Sequence, residues 1–483
     1  MKKIYIALLC AMTLMPAMTS CDDFLDVRPK GEKVEDDLFK DSSGFEDAIY
    51  GVYGSLVTET LYGRDLLWGL TDVMAQDLDC GSSELVALAQ YQYESNESLR
   101  LRFSSLWTDA YKSIGYANNV LQNLDKRTSA ELPLYNLYRG EMLGVRALVH
   151  FDLLRMFAPT DPAQRGIPYV ETFNFSVKPF LTVGETRDKI IADLLEAERL
   201  LADDEKLITY PHNDTQYLKF NNWRETHMNI YAVRGLLARV YWYFGDMTNA
   251  GIYARKVIDS GCFPLVDVTE VQNYLAGTLS PKETIFGLYA PKYLDTANSL
   301  LYTYHSYSSY TCWSDYSGSA KLNPWSAIYN KDVPATSQDF RRNHFRSENS
   351  ITKCMKVVDY LTIENNNVPF RSDLISGVNL MHVSELYLIA AEALLQSDYN
   401  TAVQYYNSEV TSRGLMPLGS DETLTADRIA NEFHKELYCE GQVWFNMKRR
   451  NEDILSNREA RVIPASNAIY VVPVPKEEFE YRP

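Results

Sequence analysis

The stretch that decides the fold runs from residue 230 to residue 259 and reads IYAVRGLLARVYWYFGDMTNAGIYARKVID. Its apolar side chains recur every three or four residues and form one stripe along a helix: Ile230, Val233, Leu237, Tyr241 and Phe244. Gly245 and Asp246 are residue types that end one helix and begin the next. We therefore expect a first helix that stops at Gly245 and a second helix from about 248 to 259.

The same pattern returns later in the chain at a constant offset. Leu237, Ala238, Gly245 and Ala250 recur as Ile389, Ala390, Ser397 and Ala402. Small residues at such positions let two antiparallel helices approach closely at a short turn, as in tetratricopeptide repeats of about 34 residues. Further helix pairs are expected from 102–124 with 138–157, and from 186–202 with its neighbours. The sequence thus predicts a mainly α fold, a tetratricopeptide-like solenoid of helix pairs.

The middle of the chain, residues 262–378, breaks this pattern. Short β-branched or aromatic runs are separated there by Pro, Gly, Asn and Ser, which predicts a loop-rich insert with a few short strands. Residues 293–329 combine many Tyr and Trp with Ser, Thr and Asn, a composition that does not suit an ordinary core. We expect this insert to bind a ligand. It separates an N-terminal helical part, 21–261, from a C-terminal helical repeat with an extended tail, 379–483.

The first twenty residues have the order of a secretory signal peptide. Lys2 and Lys3 precede an apolar run from Ile4 to Met15, which is shorter than the roughly 20 residues that span a bilayer. Small residues directly before Cys21 are typical of a lipobox, although Met18 stands where Leu is more usual. We expect a diacylglyceryl group on the sulfur of Cys21; the alternative is an ordinary cleaved signal followed by a structural cysteine.

Composition disfavours several classes of function. The formal net charge is −17, and removal of Lys2 and Lys3 with the leader makes it −17 − 2 = −19, so a nucleic-acid partner is not expected. The sequence singles out no pair of carboxylates and no motif around a nucleophilic residue, so neither catalysis nor a cofactor is predicted. Isolated histidines and cysteines predict no metal site and no disulfide framework, although a chance disulfide stays open. The cysteines after Cys21 are expected to be buried: Cys80, Cys262, Cys312, Cys354 and Cys439.

Several motifs follow one another over nearly the whole chain. In the N-terminal half they are Cys21-Asp22-Asp23-Phe24-Leu25-Asp26, then Trp107, Tyr111, Ile114, Ala117 and Asn118, then Gly140-Glu141 with Arg146-Ala147-Leu148-Val149-His150-Phe151. In the C-terminal half they are Glu436-Leu437, Glu440-Gly441, Trp444-Phe445, Lys448-Arg449 and Val472-Pro473-Val474-Pro475. In order and spacing these motifs resemble the SusD/RagB family of outer-membrane nutrient-binding lipoproteins. Two departures are Val443, where the family usually has Arg, and His434-Lys435, where it has Glu-Arg.

The resemblance implies a function. A family member of this kind is lipid-anchored in the outer membrane, faces the cell exterior, binds oligosaccharide and delivers it to a SusC-like TonB-dependent transporter. It performs no chemistry, and it meets the membrane through its anchor alone. Two alternatives remain open: a peptide-binding, RagB-like nutrient lipoprotein, and a scaffold of the transporter complex whose tyrosines contact only protein.

The candidate ligand-binding residues come from two segments. Aromatic rings in the insert suit the C–H faces of sugars, and polar side chains suit their hydroxyls. The predicted platform consists of Trp313, Tyr310, Tyr307, Tyr304 and Trp325. The opposite wall is expected in a long loop from Asp77 to Asn96, with Asp77, Asp79, Gln90, Tyr91 and Tyr93. The competing interpretation is that these rings fill the interior of the insert or face the transporter.

Overall fold

A computed structural model gives the fold of most of the chain. It describes residues 35–211, 219–269, 278–280, 282–303, 309–313, 321–334, 337–348, 351–358 and 375–480. Cys21, Tyr304 and Tyr307 lie outside the described residues.

Helices make up most of the described structure. In chain order they are α1 Glu35–Leu38, α2 Ser42–Leu56, α3 Thr71–Met74, α4 Ser83–Ala89, α5 Glu97–Leu124, α6 Tyr135–Phe157, α7 Val183–Leu200, α8 Asp204–Leu207, α9 Ile230–Tyr243, α10 Met247–Ile258, α11 Tyr293–Ala297, α12 Trp325–Asn330, α13 Val383–Leu394, α14 Tyr399–Ser412, α15 Ala426–Glu436, α16 Val443–Arg450, α17 Asn467–Tyr470 and α18 Glu477–Glu480. Within the described residues, no helix is both long enough and apolar enough to cross a membrane.

The predicted repeat is confirmed by the pairs α9–α10 and α13–α14. Asp246 caps α10 by accepting a hydrogen bond from the backbone N–H of Asn249, and Asp398 caps α14 through Thr401 in the same way. These two caps are 152 residues apart, as are Ala250 and Ala402, which are both fully buried. The local sequence therefore sets the turn, the cap and the small contact residue of both pairs.

The helices form one continuous series. α2 packs on α5, α5 on α6, α6 on α7, α7 on α9, and the series continues through α10, α13 and α14. A Cβ on Gly251 of α10 would lie 3.3 Å from that of Ala393 on α13, so small side chains bring the two repeats together. This arrangement is the predicted helix-pair solenoid.

Short strands occur in the insert and, in smaller number, in the helical parts on either side of it. They are β1 Leu78–Cys80, β2 Thr278–Leu279, β3 Thr284–Tyr289, β4 Tyr310–Cys312, β5 Phe345–Glu348, β6 Ile351–Cys354, β7 Ile375–His382, β8 Ile454–Ser456 and β9 Arg461–Ile463. They form a four-stranded sheet in the order β1-β4-β6-β5, a three-stranded sheet β2-β7-β3, and the hairpin β8–β9. The insert is thus loop-rich with a few short strands, as predicted.

Three local predictions are corrected. The segment from Asp77 to Asn96 is not one long loop, because it contains β1 and the helix α4. The tail beyond Ile463 is not extended throughout, since the one-turn helix α17 interrupts it before Val472 and Val474 pack against the body. β7 extends past residue 378 to His382, so the expected start of the C-terminal part falls within a strand.

The described cysteines form no disulfide with one another and are buried, as expected for small apolar side chains. His150 lies buried with its Nδ1 2.8 Å from the carbonyl oxygen of Arg146. Arg449 and Arg450 at the end of α16 pair with Glu392 and Asp427.

Candidate functional site

The two segments predicted as opposite walls of a ligand site lie side by side. β1 pairs antiparallel with β4, and the register places Asp79 opposite Thr311 and Leu78 opposite Cys312. Trp313, which directly follows β4, therefore lies next to the polar residues around β1. We call the group Asp79, Trp313, Lys321 and Arg458 the Trp313 cluster.

Two cations face the indole ring of Trp313. Lys321 Nζ lies 4.6 Å from the ring centroid, and the guanidinium carbon of Arg458 lies 5.6 Å from it. Both distances are within the range of cation–π attraction. Arg458 also forms an ion pair with Asp79, and the two side chains stay 22% and 27% exposed. The indole ring itself is 8% exposed, so solvent reaches the cluster mainly through the charged side chains of Arg458 and Asp79.

Two donors of the cluster lack a hydrogen-bond partner within the part of the chain that the structure describes. They are Trp313 Nε1 and Arg458 Nε, and both atoms are buried. Buried donors in proteins are nearly always satisfied by protein or water. An oxygen of a bound hydroxyl would supply the acceptor that each of these atoms needs.

Asn457 holds the cluster in place. Its side-chain amide donates to the carbonyl oxygen of Asn323 at 2.9 Å, and its Oδ1 accepts from the backbone N–H of Asn323 at 2.8 Å. Its backbone N–H donates to Gln76 Oε1 at 3.1 Å. Asn457 is buried and directly precedes Arg458, so these bonds fix the turn after β8 against both predicted walls.

Three residues that were predicted to bind the ligand are buried and bond to other protein groups. Tyr310 is 3% exposed and donates to the carbonyl oxygen of Gly69. Tyr93 is 5% exposed and donates to the carbonyl oxygen of Ile469. Asp77 is 1% exposed and bonds to His434. The burial of Tyr310 fits the competing interpretation that the rings fill the interior of the insert. The sequence does not indicate the burial of Tyr93 and Asp77, because their partners lie far away in the chain.

Three other residues predicted to bind the ligand are partly exposed. Trp325 is partly exposed, but its ring stacks on Phe345 at 4.5 Å and Arg342 lies 5.4 Å from its centroid, so other protein groups contact its ring. Tyr91 is partly exposed and donates to the carbonyl oxygen of Met74. Gln90 is partly exposed at the end of α4. The proposed ligand contacts of these residues stay predictions.

A polar pocket of about 200 Å³ opens where the insert meets the C-terminal helices. Its polar lining comes from the insert, from α15, and from α16 with the turn after it: Asn323, Lys331, Asp427, Asn431, His434, Asn446, Arg450, Glu452 and Asp453. Asn323 lines this pocket and is also bonded to Asn457, so the pocket adjoins the Trp313 cluster. Its mixture of amides and charges can donate to and accept from hydroxyl groups.

Burial shapes the electrostatics of both regions. Burial raises the pKa of Asp79, against the lowering effect of the neighbouring Arg458. Burial also raises the pKa of Asp77, against the lowering effect of His434. Hydrogen bonds in such partly desolvated surroundings are stronger than the same bonds in water.

Four functional candidates were missed from the sequence: Lys321, His434, Asn457 and Arg458. Lys321 lies within the predicted aromatic segment, between Trp313 and Trp325, but its side chain carries no aromatic signal. His434, Asn457 and Arg458 come from elements far from the predicted segments, and none of the four stands in a recognisable motif for ligand binding.

One buried group within the described residues has the side chains of a metal site. Ligand atoms of Glu283, His382 and Glu436 lie within 4.8 Å of one another. Arg413 already bonds both carboxylates, at 2.9 Å to Glu283 and 2.6 Å to Glu436. Because the guanidinium neutralises these acids, we assign the group to a structural ion network that joins the insert to the C-terminal repeat.

Fold and site together define a helical-repeat protein that carries a loop-bordered polar binding region. Two family models match the sequence: one described as starch-binding and associating with the outer membrane, over residues 23–242, and the SusD family, over residues 335–471. The chain belongs to the SusD family. Residues 243–334, which contain Trp313 and Trp325, lie between the two matched regions.

Relatives and solved structures agree with this assignment. SusD-like protein P2 of Formosa agariphila is 25% identical, over 97% of this chain and 96% of its own length. A SusD superfamily protein from Bacteroides thetaiotaomicron has a TM-score of 0.72 at 20% identity, covering 91% of this chain and 97% of its own. A putative sugar binding protein from Bacteroides vulgatus has a TM-score of 0.70 at 21% identity, covering 91% and 96%.

Proposed function

We propose that this protein is a cell-surface lipoprotein, anchored through Cys21, that binds oligosaccharide and delivers it to a SusC-like TonB-dependent transporter. The family assignment supports a nutrient-binding role without catalysis. The observation that carries the choice of ligand is the Trp313 cluster, in which the indole N–H and Arg458 Nε have no partner among the described residues and lie near a carboxylate.

The chemistry of the cluster suits a sugar. Hydroxyl groups accept hydrogen bonds from Arg458, Lys321 and the indole N–H, and they donate to Asp79. The adjoining polar pocket extends this set with amide groups from Asn323, Asn431 and Asn446. A peptide would instead need an open strand edge or apolar side-chain pockets.

Binding is expected to be weak. One aromatic contact contributes about 0.5–1.5 kcal/mol, and each hydrogen bond to a charged group about 1.5–3 kcal/mol. One ring with one or two such bonds gives about 2–7.5 kcal/mol in total, which corresponds to a dissociation constant between tens of millimolar and a few micromolar. Weak binding suits capture and release next to a transporter, where the local concentration is high.

The test is a binding assay with the soluble protein that begins after Cys21. Calorimetric titration against plant, microbial and host glycans and a mixed peptide pool should show glycan binding only. Arg458→Ala and Trp313→Ala should each weaken this binding at least tenfold. Arg461→Ala is the matched control, since this arginine lies on β9 with 59% of its side chain exposed. Peptide binding alone would indicate the RagB-like alternative, and binding of neither would indicate a scaffold.

A further inference from the structure

A loop far from the Trp313 cluster in sequence presents an apolar tip to solvent. It spans residues 166–182, and the segment Phe173-Asn174-Phe175-Ser176-Val177-Lys178 alternates apolar and polar side chains. Phe173 is 46% exposed, Val177 is 54% exposed, and Phe175 is fully exposed. Monomeric proteins rarely keep several large apolar side chains together in water unless they contact something.

Backbone pairing closes the neck of this loop. Gly166 N–H donates to the carbonyl oxygen of Leu181 at 2.8 Å, and Leu181 N–H donates to that of Ile167 at 3.3 Å. Such compact loops with joined ends are frequently functional. The tip is also fixed to α5, because the backbone N–H of Phe173 donates to Gln122 Oε1 at 3.3 Å.

The loop tip and α5 form a mostly apolar groove of about 560 Å³. Trp107, Tyr111 and Tyr116 of α5 line one side, and Phe173, Phe175 and Val177 line the other. Gly115 lies beneath Phe173, since a Cβ there would be 3.9 Å from the phenyl ring. We call this surface the Phe175 groove.

We propose that the Phe175 groove is the surface through which the protein docks on its membrane-embedded barrel transporter. This inference rests on the proposed function for the existence of that partner and of the Cys21 anchor. The new element is the surface of the chain that contacts the transporter, and the residues of this surface lie outside the Trp313 cluster.

The position of the tether supports a membrane-embedded partner. The described chain begins at Glu35, whose carboxylate accepts from Asn123 Nδ2 at 2.9 Å on α5. The distance along α5 from Asn123 to Gly115 is about 12 Å. Thirteen residues lie between Cys21 and Glu35, so an anchor at Cys21 lies within about 50 Å of Glu35. The described chain therefore begins against the helix that carries the Phe175 groove, and the anchor lies within this reach of it.

The rim of the groove favours a protein over the lipid surface. Its charged residues are Lys112, Lys178, Glu477 and Glu478, two of each sign. Segments that bind anionic lipid carry clusters of Lys and Arg. An aromatic centre with a mixed polar rim is instead the anatomy of a protein–protein interface.

The first test is photocrosslinking in the native outer membrane with the full-length lipoprotein. A benzophenone analogue of phenylalanine replaces Phe175 in one strain and Met416 in the control strain; Met416 is 58% exposed between α14 and α15. The proposal expects an adduct at position 175 whose partner is a TonB-dependent barrel by mass spectrometry, and no such adduct at position 416. Adducts at position 175 to lipid or a second copy only, or no adduct, would overturn the proposal.

A second measurement separates docking from ligand binding. The triple variant Phe173→Ser, Phe175→Ser, Val177→Ser should lower co-purification with the barrel at least tenfold. Its melting temperature should be unchanged because the three side chains are exposed, and glycan affinity of the soluble form should stay within twofold. Unchanged co-purification would refute the docking surface while leaving the proposed function intact. Loss of glycan affinity would assign the groove to ligand instead.

Discussion

His434 Nε2 lies 2.7 Å from Asp77 Oδ1 and joins the last turn of α15 to the residue that precedes β1. The two residues are 357 positions apart. Asp77 is buried, and its second carboxylate oxygen has no partner within the described residues. Tyr438 adds a bond to the carbonyl oxygen of Asp77 at 2.6 Å, so this contact fixes the start of β1 beneath the polar pocket.

The first prediction concerns this pair. His434→Ala should destabilise the protein by about 1–3 kcal/mol, because it leaves a buried carboxylate without its partner. Asp77→Asn should cost less, because burial raises the pKa of Asp77 and already disfavours its charged form. The double variant should lose less free energy of unfolding than the two single variants lose in sum. Urea unfolding of the four proteins measures this coupling, and strict additivity would contradict it.

The second prediction concerns Glu141 on α6, which is fully buried. It bonds to Arg224 at 2.5 Å, to His227 at 3.0 Å and to the hydroxyl of Tyr53 at 2.7 Å. Burial raises the pKa of Glu141, but the charges of Arg224 and His227 outweigh burial and hold it below its usual value. Glu141→Gln should therefore destabilise the protein by about 3–5 kcal/mol, as expected when one partner of a buried ion pair is removed.

The control for Glu141 is Asp203→Asn. Asp203 pairs with Lys206 at 2.8 Å on the surface, where both side chains are at least 80% exposed. Its removal should change the free energy of unfolding by less than about 1 kcal/mol. Equal effects of the two substitutions would show that the Glu141 network does not stabilise the fold.

The third prediction compares two glycines with positive φ. Gly441 has φ +72°, and a Cβ there would lie 2.2 Å from the carbonyl oxygen of Leu66. Gly245 has φ +81° with no atom within 4 Å of such a Cβ. Gly245→Ala should cost about 1–2 kcal/mol for the left-handed backbone alone. Gly441→Ala should cost clearly more, since the backbone must also move; similar melting temperatures for the two variants would refute the steric argument.

The solenoid was predictable because its signals are local. The stripe from Ile230 to Phe244, the cap at Asp246 and the small residue Ala250 each act within one or two helical turns, and the cap and the small residue recur 152 positions later as Asp398 and Ala402. The four-stranded sheet was not predictable in the same way. β1 has three residues, too few for a periodic signal, and its partner β4 lies more than 200 residues away.

The binding region shows the same limit. Aromatic composition drew attention to the segment around Trp313, which the structure places beside β1, but composition does not distinguish a buried ring such as Tyr310 from an accessible one. Arg458 and His434 reach the region only through tertiary contacts, from a hairpin and from α15. No local pattern in the sequence connects Arg458 to Asp79 or His434 to Asp77.

The last prediction concerns the pH dependence of stability through His382, which is buried at the junction of β7 and α13. Its Nε2 lies 2.8 Å from Glu440, and its Nδ1 lies 3.8 Å from Glu436 and 3.9 Å from Glu283. Burial lowers the pKa of His382, as does nearby Lys356, but the charges of Glu440 and Glu436 outweigh both and raise it above 6.5. The folded state therefore binds this proton more tightly than the unfolded state does.

The sign of the effect follows from proton linkage. Stabilisation by protonated His382 is fully present below about pH 6.5, the unfolded pKa, and is lost as the pH rises through the folded pKa. His382→Gln should be destabilised most at pH 6, and its difference from wild type should shrink towards pH 9. That difference changes by at most about 1.4 kcal/mol per pH unit for one proton. Chemical unfolding at pH 6, 7, 8 and 9 measures it, and parallel stability curves would mean that His382 is neutral in the folded protein.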